Sequence, residues 1–291
     1  MNGILLIDKS AGWTSSDVVV KLKGVLHQRR IGHAGTLDPM ATGLLTVFVG
    51  RATRAVEFAE AHDKRYTAHL RLGTVTDTQD ITGTVLAQNE ANVTADELRA
   101  VLARFLGEQE QTPPMYSAIK VNGKKLYEIA RAGGTAERKP RRISIDALSL
   151  IGEDAGDWVL DVRCSKGTYI RALCDDIGAA LGCGGCMSAL RRTAAGEFTV
   201  DAAHTLDEVI AAANSGNAEE LLIPVDTLFA AHPAWRADAA AERRIRCGNE
   251  VKAAGLADGE YRVYSAETGE FLMLGRVQNG VMKTVKSFFE V

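Results

Sequence analysis

Apolar positions along the chain change period several times, and each change marks a predicted element. Residues 4–7 form a short apolar run closed by Asp8 and Lys9, which reads as a strand. A polar turn ends in Thr14-Ser15-Ser16-Asp17, and then Val18, Leu22, Val25 and Leu26 recur at helical spacing. Residues 44–49, bounded by Gly43 and Gly50, read as a buried strand, and 51–62 as helical. Alternation over 65–72 sets Tyr66, Ala68, Leu70 and Leu72 on one face of a half-buried strand. A short strand near 83–87 follows, then a helix over 94–106 opened by a Thr94/Glu97 capping box and ended by Gln111-Thr-Pro-Pro. Residues 116–121 read as a strand, Asn122-Gly123 as a tight turn, and 124–132 as a helix stopped by Gly133-Gly134. Strands over 142–150 and 158–164, a helix from near Thr168 and a strand over 187–192 complete this part.

From about Pro224 the texture changes. Glycines at 248, 255, 259, 269, 275 and 280 separate short β-rich pieces such as 261–264 and 271–274, the pattern of a small antiparallel barrel or sandwich. The strands before it do not alternate regularly with helices. The expected fold class is therefore α/β of the α+β type, with a mixed, largely antiparallel sheet. Two domains are expected, over residues 1–230 and 231–291.

With 291 residues, 46% hydrophobic and 24% charged, the chain has the size and balance of a soluble globular protein. No targeting segment and no membrane-length apolar run is read from it, so a cytoplasmic protein with no membrane partner is expected. Cys164, Cys174, Cys183, Cys186 and Cys247 are an odd number and argue for reduced thiols. Cys183-Gly-Gly-Cys186 lacks a second pair and reads as a glycine-rich loop, and the six histidines show no HxH or HExxH spacing. No metal is expected.

Charge is unevenly placed. The net charge is −3, yet residues 120–142 hold eight basic side chains (Lys120, Lys124, Lys125, Arg131, Arg138, Lys139, Arg141, Arg142) against Glu128 and Glu137. That local excess of +6 leaves −9 for the rest, the footprint of a contact to a phosphate backbone. It sits on a projecting insertion over about 116–142.

Walker A, GxSxG and strand-to-helix GxGxxG signatures are missing from the sequence. What remains is Asp38, alone among glycines, small residues and a proline in 32-GHAGTLDPMATGLL-45. Local grammar makes it the cap of a short turn over 40–44. The chemical alternative is an ionised carboxylate that needs a distant cation.

Five ordered motifs carry a resemblance: 8-DKSAGWTSSD-17, the Asp38 stretch, 64-KRYTAHLRLGTVTDTQD-80, 113-PPMYSAIKVNGKKLYEIARAG-133 and 164-CSKGTYIRAL-173. Over residues 3–193 the chain resembles the bacterial tRNA pseudouridine-55 synthase family, TruB, and its tail is weakly similar to that family's PUA domain. The resemblance implies a pseudouridine-synthase fold with a central cleft and a stand-alone isomerase acting on one uridine of the TΨC loop of tRNA, without a cofactor. It implies Asp38, Tyr66 and Arg171 as catalytic residues, with Arg171 the counter-ion of Asp38. It places His33, Tyr66, Tyr169 and Leu190 around the extruded base, the tyrosines replacing lost stacking. It makes the basic insertion a thumb on the T-arm, with Lys120, Lys124, Lys125 and Arg131 as its contacts. Asp80 and Lys9 match family positions whose role here, structural or chemical, stays open. So do three routes for the carboxylate: attack on C1′, addition to C6, or removal of a proton from C2′.

A monomer is expected, and action without guide RNA is expected because the first motif begins at residue 8 and the basic insertion is retained. The alternatives are a non-catalytic RNA-binding or tRNA-folding factor and a guide-dependent synthase.

Overall fold

The computed structural model describes residues 1–121 and 123–290. Its larger sheet runs in the order Gly3–Lys9, Thr42–Val49, Gly185–Ala195, Lys64–Leu72, Asp157–Cys164, Arg141–Asp154, Gly107–Gln111. Every neighbouring pair is antiparallel except Thr42–Val49 with Gly185–Ala195. Ile31–Ala34 adds a further antiparallel partner to the far half of Thr42–Val49. Thr42–Val49 thus changes neighbour along its length, from Gly185–Ala195 at its start to Ile31–Ala34 at its end. The loop carrying Asp38 leaves Ile31–Ala34 and enters Thr42–Val49 at that change.

Period-2 alternation explains the layering. In Gly3–Lys9, Leu5 and Ile7 face one core cluster while Ile4 and Leu6 face another, so the strand is buried on both sides. The first cluster gathers Val18 and Leu22 of helix Ser15–Val25, and Ile170, Leu173 and Ile177 of helix Ile170–Ala180. The second joins Ile4, Leu6 and Phe48 to Phe229, Leu274 and Phe288; Phe58 meets Phe229 edge-on, Phe229 lies tilted against Phe288, and Phe271 stacks on Phe288. The C-terminal strands therefore pack against the back of the main sheet. They form a five-stranded sheet in the order Ala234–Ala237, Gly259–Ser265, Phe271–Gln278, Val281–Ser287, Val251–Lys252. Its first pair is parallel, and helix Ala239–Arg246 lies beside it. The small antiparallel unit expected from the glycine spacing is thus present as a β-rich sheet, with this one parallel pair as the departure.

Other boundaries also move. The helix with the Thr94/Glu97 box is Ala95–Leu102 with a 3-10 turn to Phe105. Gln111 closes a strand, Gly107–Gln111, rather than a helix, because Arg141–Ile145 pairs with it. Of the strand expected over 116–121 only Lys120–Val121 is extended; it pairs with the strand Lys124–Lys125, and the helix that follows is Leu126–Arg131. Asn122 of the expected turn lies outside the described residues. No turn of helix follows Asp38: residues 42–49 are strand, and Asp38 contributes only its carbonyl, which accepts from the amide of Ala41 at 3.1 Å.

Candidate active site

Asp38 rides on a loop held by its backbone at alternate residues. The Ser15 hydroxyl exchanges hydrogen bonds with Leu37, accepting from its amide at 2.9 Å and donating to its carbonyl at 3.2 Å. The carbonyl of Pro39 accepts from the Gly12 amide at 2.8 Å and from Lys9 Nζ at 3.3 Å. The carbonyl of Gly35 accepts from Arg192 Nη2 at 2.9 Å. Lys9, Gly12 and Ser15 all belong to the first motif, so that motif is the clamp for the second. A carboxylate on so constrained a backbone is preorganised.

The partner missing from the local sequence is Arg171. It lies in the first turn of helix Ile170–Ala180 and is buried rather than on the surface. Its Nε meets Asp38 Oδ2 at 2.9 Å and its Nη2 meets Oδ1 at 3.3 Å, a forked pair. Nη1 donates to the Thr78 carbonyl at 3.1 Å and faces Asp80 Oδ2 at 3.7 Å, while Nη2 also donates to the Tyr116 carbonyl at 2.8 Å. One guanidinium thus ties the Asp38 loop, the 76–80 loop and the base of the basic insertion. Asp80 is buried and is itself held by Thr78 and Thr82, whose hydroxyl and amide donate to its Oδ1. Asp38 is the accessible end of this chain of charges, with its side chain 35% exposed.

Burial pushes the Asp38 carboxyl above its ordinary value; Arg171 opposes the rise, Asp80 adds to it, and Lys9 opposes it more weakly. Lys9 is fully buried, donating to the carbonyls of Ser10, Trp13 and Pro39, and burial lowers it to about 8 despite the attraction of Asp38.

Tyr66, in Lys64–Leu72, is almost fully buried on the face predicted from the alternation. Burial raises its hydroxyl above the ordinary phenol value, and the Arg192 guanidinium counteracts that. Leu190 stands on the adjacent strand opposite Ala68. Tyr169 is the residue before helix Ile170–Ala180, and its backbone is gripped from both sides by the Gln111 amide. His33 lies in Ile31–Ala34 with its Nδ1 buried and without a partner; burial, then the charge of Arg192, holds it below its ordinary value and so neutral at neutral pH.

In the insertion, Lys120, Lys124 and Arg131 are exposed and Lys125 is half-buried. Lys125 and Arg131 both lie over the ring of Tyr127, at 5.3 and 5.4 Å from its centroid. Among the described residues, none of the eight cations of 120–142 makes an ion pair. Cys183 and Cys186 are buried in and beside the turn from helix Ile170–Ala180 to strand Gly185–Ala195. Burial raises the Cys186 thiol to about 11, which keeps it protonated.

The family model for the N-terminal domain of TruB family pseudouridylate synthases matches residues 23–170, and that for the C-terminal domain of tRNA pseudouridylate synthase B matches 171–230. The chain belongs to the TruB family. The tRNA pseudouridine synthase B of Azoarcus sp. (strain BH72) is 44% identical over 283 residues, covering 97% of this chain and 93% of that one. That of Ralstonia pickettii (strain 12J) is 46% identical over 255 residues, covering 86% and 80%. Among solved structures, a chain of a Cbf5-Nop10-Gar1 complex superposes with a TM-score of 0.74 at 25% identity, over 99% of this chain and 85% of that one. A chain of an H/ACA RNP bound to a substrate RNA containing 2′-deoxyuridine also gives 0.74, at 23% identity, over 99% and 85%. These likenesses establish the pseudouridine-synthase fold.

The TruB motifs brought Asp38, Arg171 and Asp80 to one place, and sequence reasoning missed what holds them. Gln111 was read only as the end of a helix and Arg192 only as the end of a strand. Neither stands out in the sequence: Gln111 closes the polar run GEQEQ and Arg192 follows another arginine.

Proposed function

We propose that this protein isomerises uridine to pseudouridine in the T loop of tRNA, acting without a guide RNA and without a cofactor. The observation that carries the reading is the forked Asp38–Arg171 pair, whose carboxylate stays reachable while its counter-ion is buried. In the reaction the N1–C1′ bond breaks, C5 joins C1′, the C5 proton leaves and N1 gains one. Oxidation state does not change. Each route for the carboxylate needs Asp38 ionised against the pull of burial, and Arg171 supplies that. Tyr66 and Tyr169 receive the extruded base, Leu190 lines its pocket, and His33, held neutral, fills the place the base leaves.

The catalytic unit spans residues 1–230, with a PUA-like unit over 231–291. The insertion over about 116–142 is the part that grips the T-arm. Its uncompensated cations position the RNA backbone and do not read sequence. Replacing Lys124 and Lys125 together by glutamate should weaken T-arm binding and flatten the salt dependence by about 1.5 in the log–log slope, at roughly 0.7 to 0.9 per lost phosphate contact. Unchanged affinity and slope would make the strip a solvated face.

Because Asp38 is raised, the acid limb of kcat/KM should lie above the ordinary carboxylate range. Below that folded-state pKa the carboxyl is protonated and turnover falls; above it turnover is restored. A limb at or below the ordinary value would contradict the assignment.

The activity is tested by incubating the purified chain with a tRNA transcript tritiated at uridine C5. Bond formation at C5 releases tritium to water, with an expected limit of one uridine per molecule. No release, or release only with added guide RNA, would count against the reading.

A further inference from the structure

Arg192 is among the largest fully buried side chains of the protein, and no carboxylate lies within ion-pairing distance of it among the described residues. An uncompensated buried guanidinium is costly, and stability alone would favour an apolar side chain of similar volume. The chain is shaped around it. Arg192 Nε donates to the Leu44 carbonyl at 2.7 Å and Nη2 to the Gly35 carbonyl at 2.9 Å, so it spans both ends of the Asp38 loop. A Cβ on Gly35, which sits at φ +75°, would lie 3.2 Å from Nη1. A Cβ on Gly43, at φ +94°, would lie 2.3 Å from the Arg192 carbonyl oxygen. The two positive-φ glycines that flank Asp38 are thus both accounted for by the approach of this arginine.

Arg192 also stands directly opposite Tyr66 in the pairing of Gly185–Ala195 with Lys64–Leu72, which puts the two side chains on one face of the sheet. Its positive charge acts there on the Tyr66 hydroxyl, opposing the rise that burial causes. Arginine has five donors and no acceptor, so toward this side chain the tyrosine oxygen can act only as an acceptor. A tyrosine oxygen engaged in that way directs its own proton away from Arg192.

Resting on the isomerase reading above, we propose that Arg192 is a positioning residue: it fixes the Tyr66 hydroxyl as a donor toward the extruded uracil and locks that hydroxyl in register with the Asp38 loop. As the N1–C1′ bond breaks, the electron pair stays with the uracil, and an outward-pointing phenol donor meets the charge that develops there. Arg192 touches no reacting atom and acts through Tyr66.

The test is a double-mutant cycle on single-turnover pseudouridine formation in full tRNA, with tRNA affinity and thermal melting measured on each chain. Tyr66→Phe and Arg192→Gln are each expected to slow turnover by roughly ten- to a hundredfold. The double variant should be no slower than the slower single one, with affinity within about threefold of wild type, because both act through one hydroxyl. Arg192→Lys, which keeps the charge but not the fork, should fall between wild type and Arg192→Gln. Losses that multiply, or an Arg192→Gln chain with wild-type turnover, would overturn the inference. A chain that folds with neither substitution would assign Arg192 to the framework alone and overturn it too. The wild-type chain in the same series separates the two levels. If it forms no pseudouridine, the function on which the inference rests has failed; if it does and the cycle is multiplicative, only the inference has.

Discussion

Asp38→Asn is expected to reduce pseudouridine formation by at least about a thousandfold while leaving T-arm binding within a fewfold of wild type. Asparagine keeps the shape and one acceptor oxygen, but it has no charge and cannot offer Arg171 two oxygens. The loop should survive the change, because its backbone is held independently through Gly35, Leu37 and Pro39. Single-turnover kinetics and a binding isotherm on the same chain separate chemistry from recognition. Turnover near that of wild type would return Asp38 to a purely structural role.

Arg171→Lys is the second large effect, a loss of about a hundredfold in turnover. A lysine ammonium is a point charge and cannot hold both Asp38 oxygens, the Thr78 carbonyl and the Tyr116 carbonyl at once. With the opposition to burial weakened, the Asp38 carboxyl should rise further. The acid limb of the pH profile should move upward with it. A rate loss without that movement would mean that Arg171 only orients; unchanged rate and unchanged pH dependence would remove it from the site.

Much of this was legible where local signals and tertiary structure agree. The alternation that set Tyr66, Ala68 and Leu70 inward and the Thr94/Glu97 capping box both appear as read. Local signals failed where a long-range partner decides the conformation. Asp38-Pro39 signals a capped turn over 40–44, yet Thr42 and Gly43 pair with Arg191 and Arg192, and the chain is drawn into a strand. Gly107–Gln111 is polar throughout and becomes a strand only because Arg141–Ile145 runs beside it.

The site divides in the same way. Asp38 and Arg171 are 133 residues apart in the chain, and only ordered motifs, not spacing, put them together. The glycines around Asp38 stand out in the sequence without a stated partner, and the structure accounts for Gly35 and Gly43 by the approach of Arg192. No sequence pattern announces a buried arginine without a counter-ion, since its partners are backbone carbonyls that every residue carries. The same reasoning hides Gln111, whose partners are also main-chain atoms.

The central claim is that this chain alone converts one uridine of the tRNA T loop, using Asp38. Its most direct test is to incubate unmodified tRNA transcript with the purified protein and no other macromolecule, then map pseudouridine at single-nucleotide resolution. One new pseudouridine in the T loop, absent when the Asp38→Asn chain is used, is the predicted result. No pseudouridine, pseudouridine outside the T loop, or equal modification by the Asp38→Asn chain would contradict it.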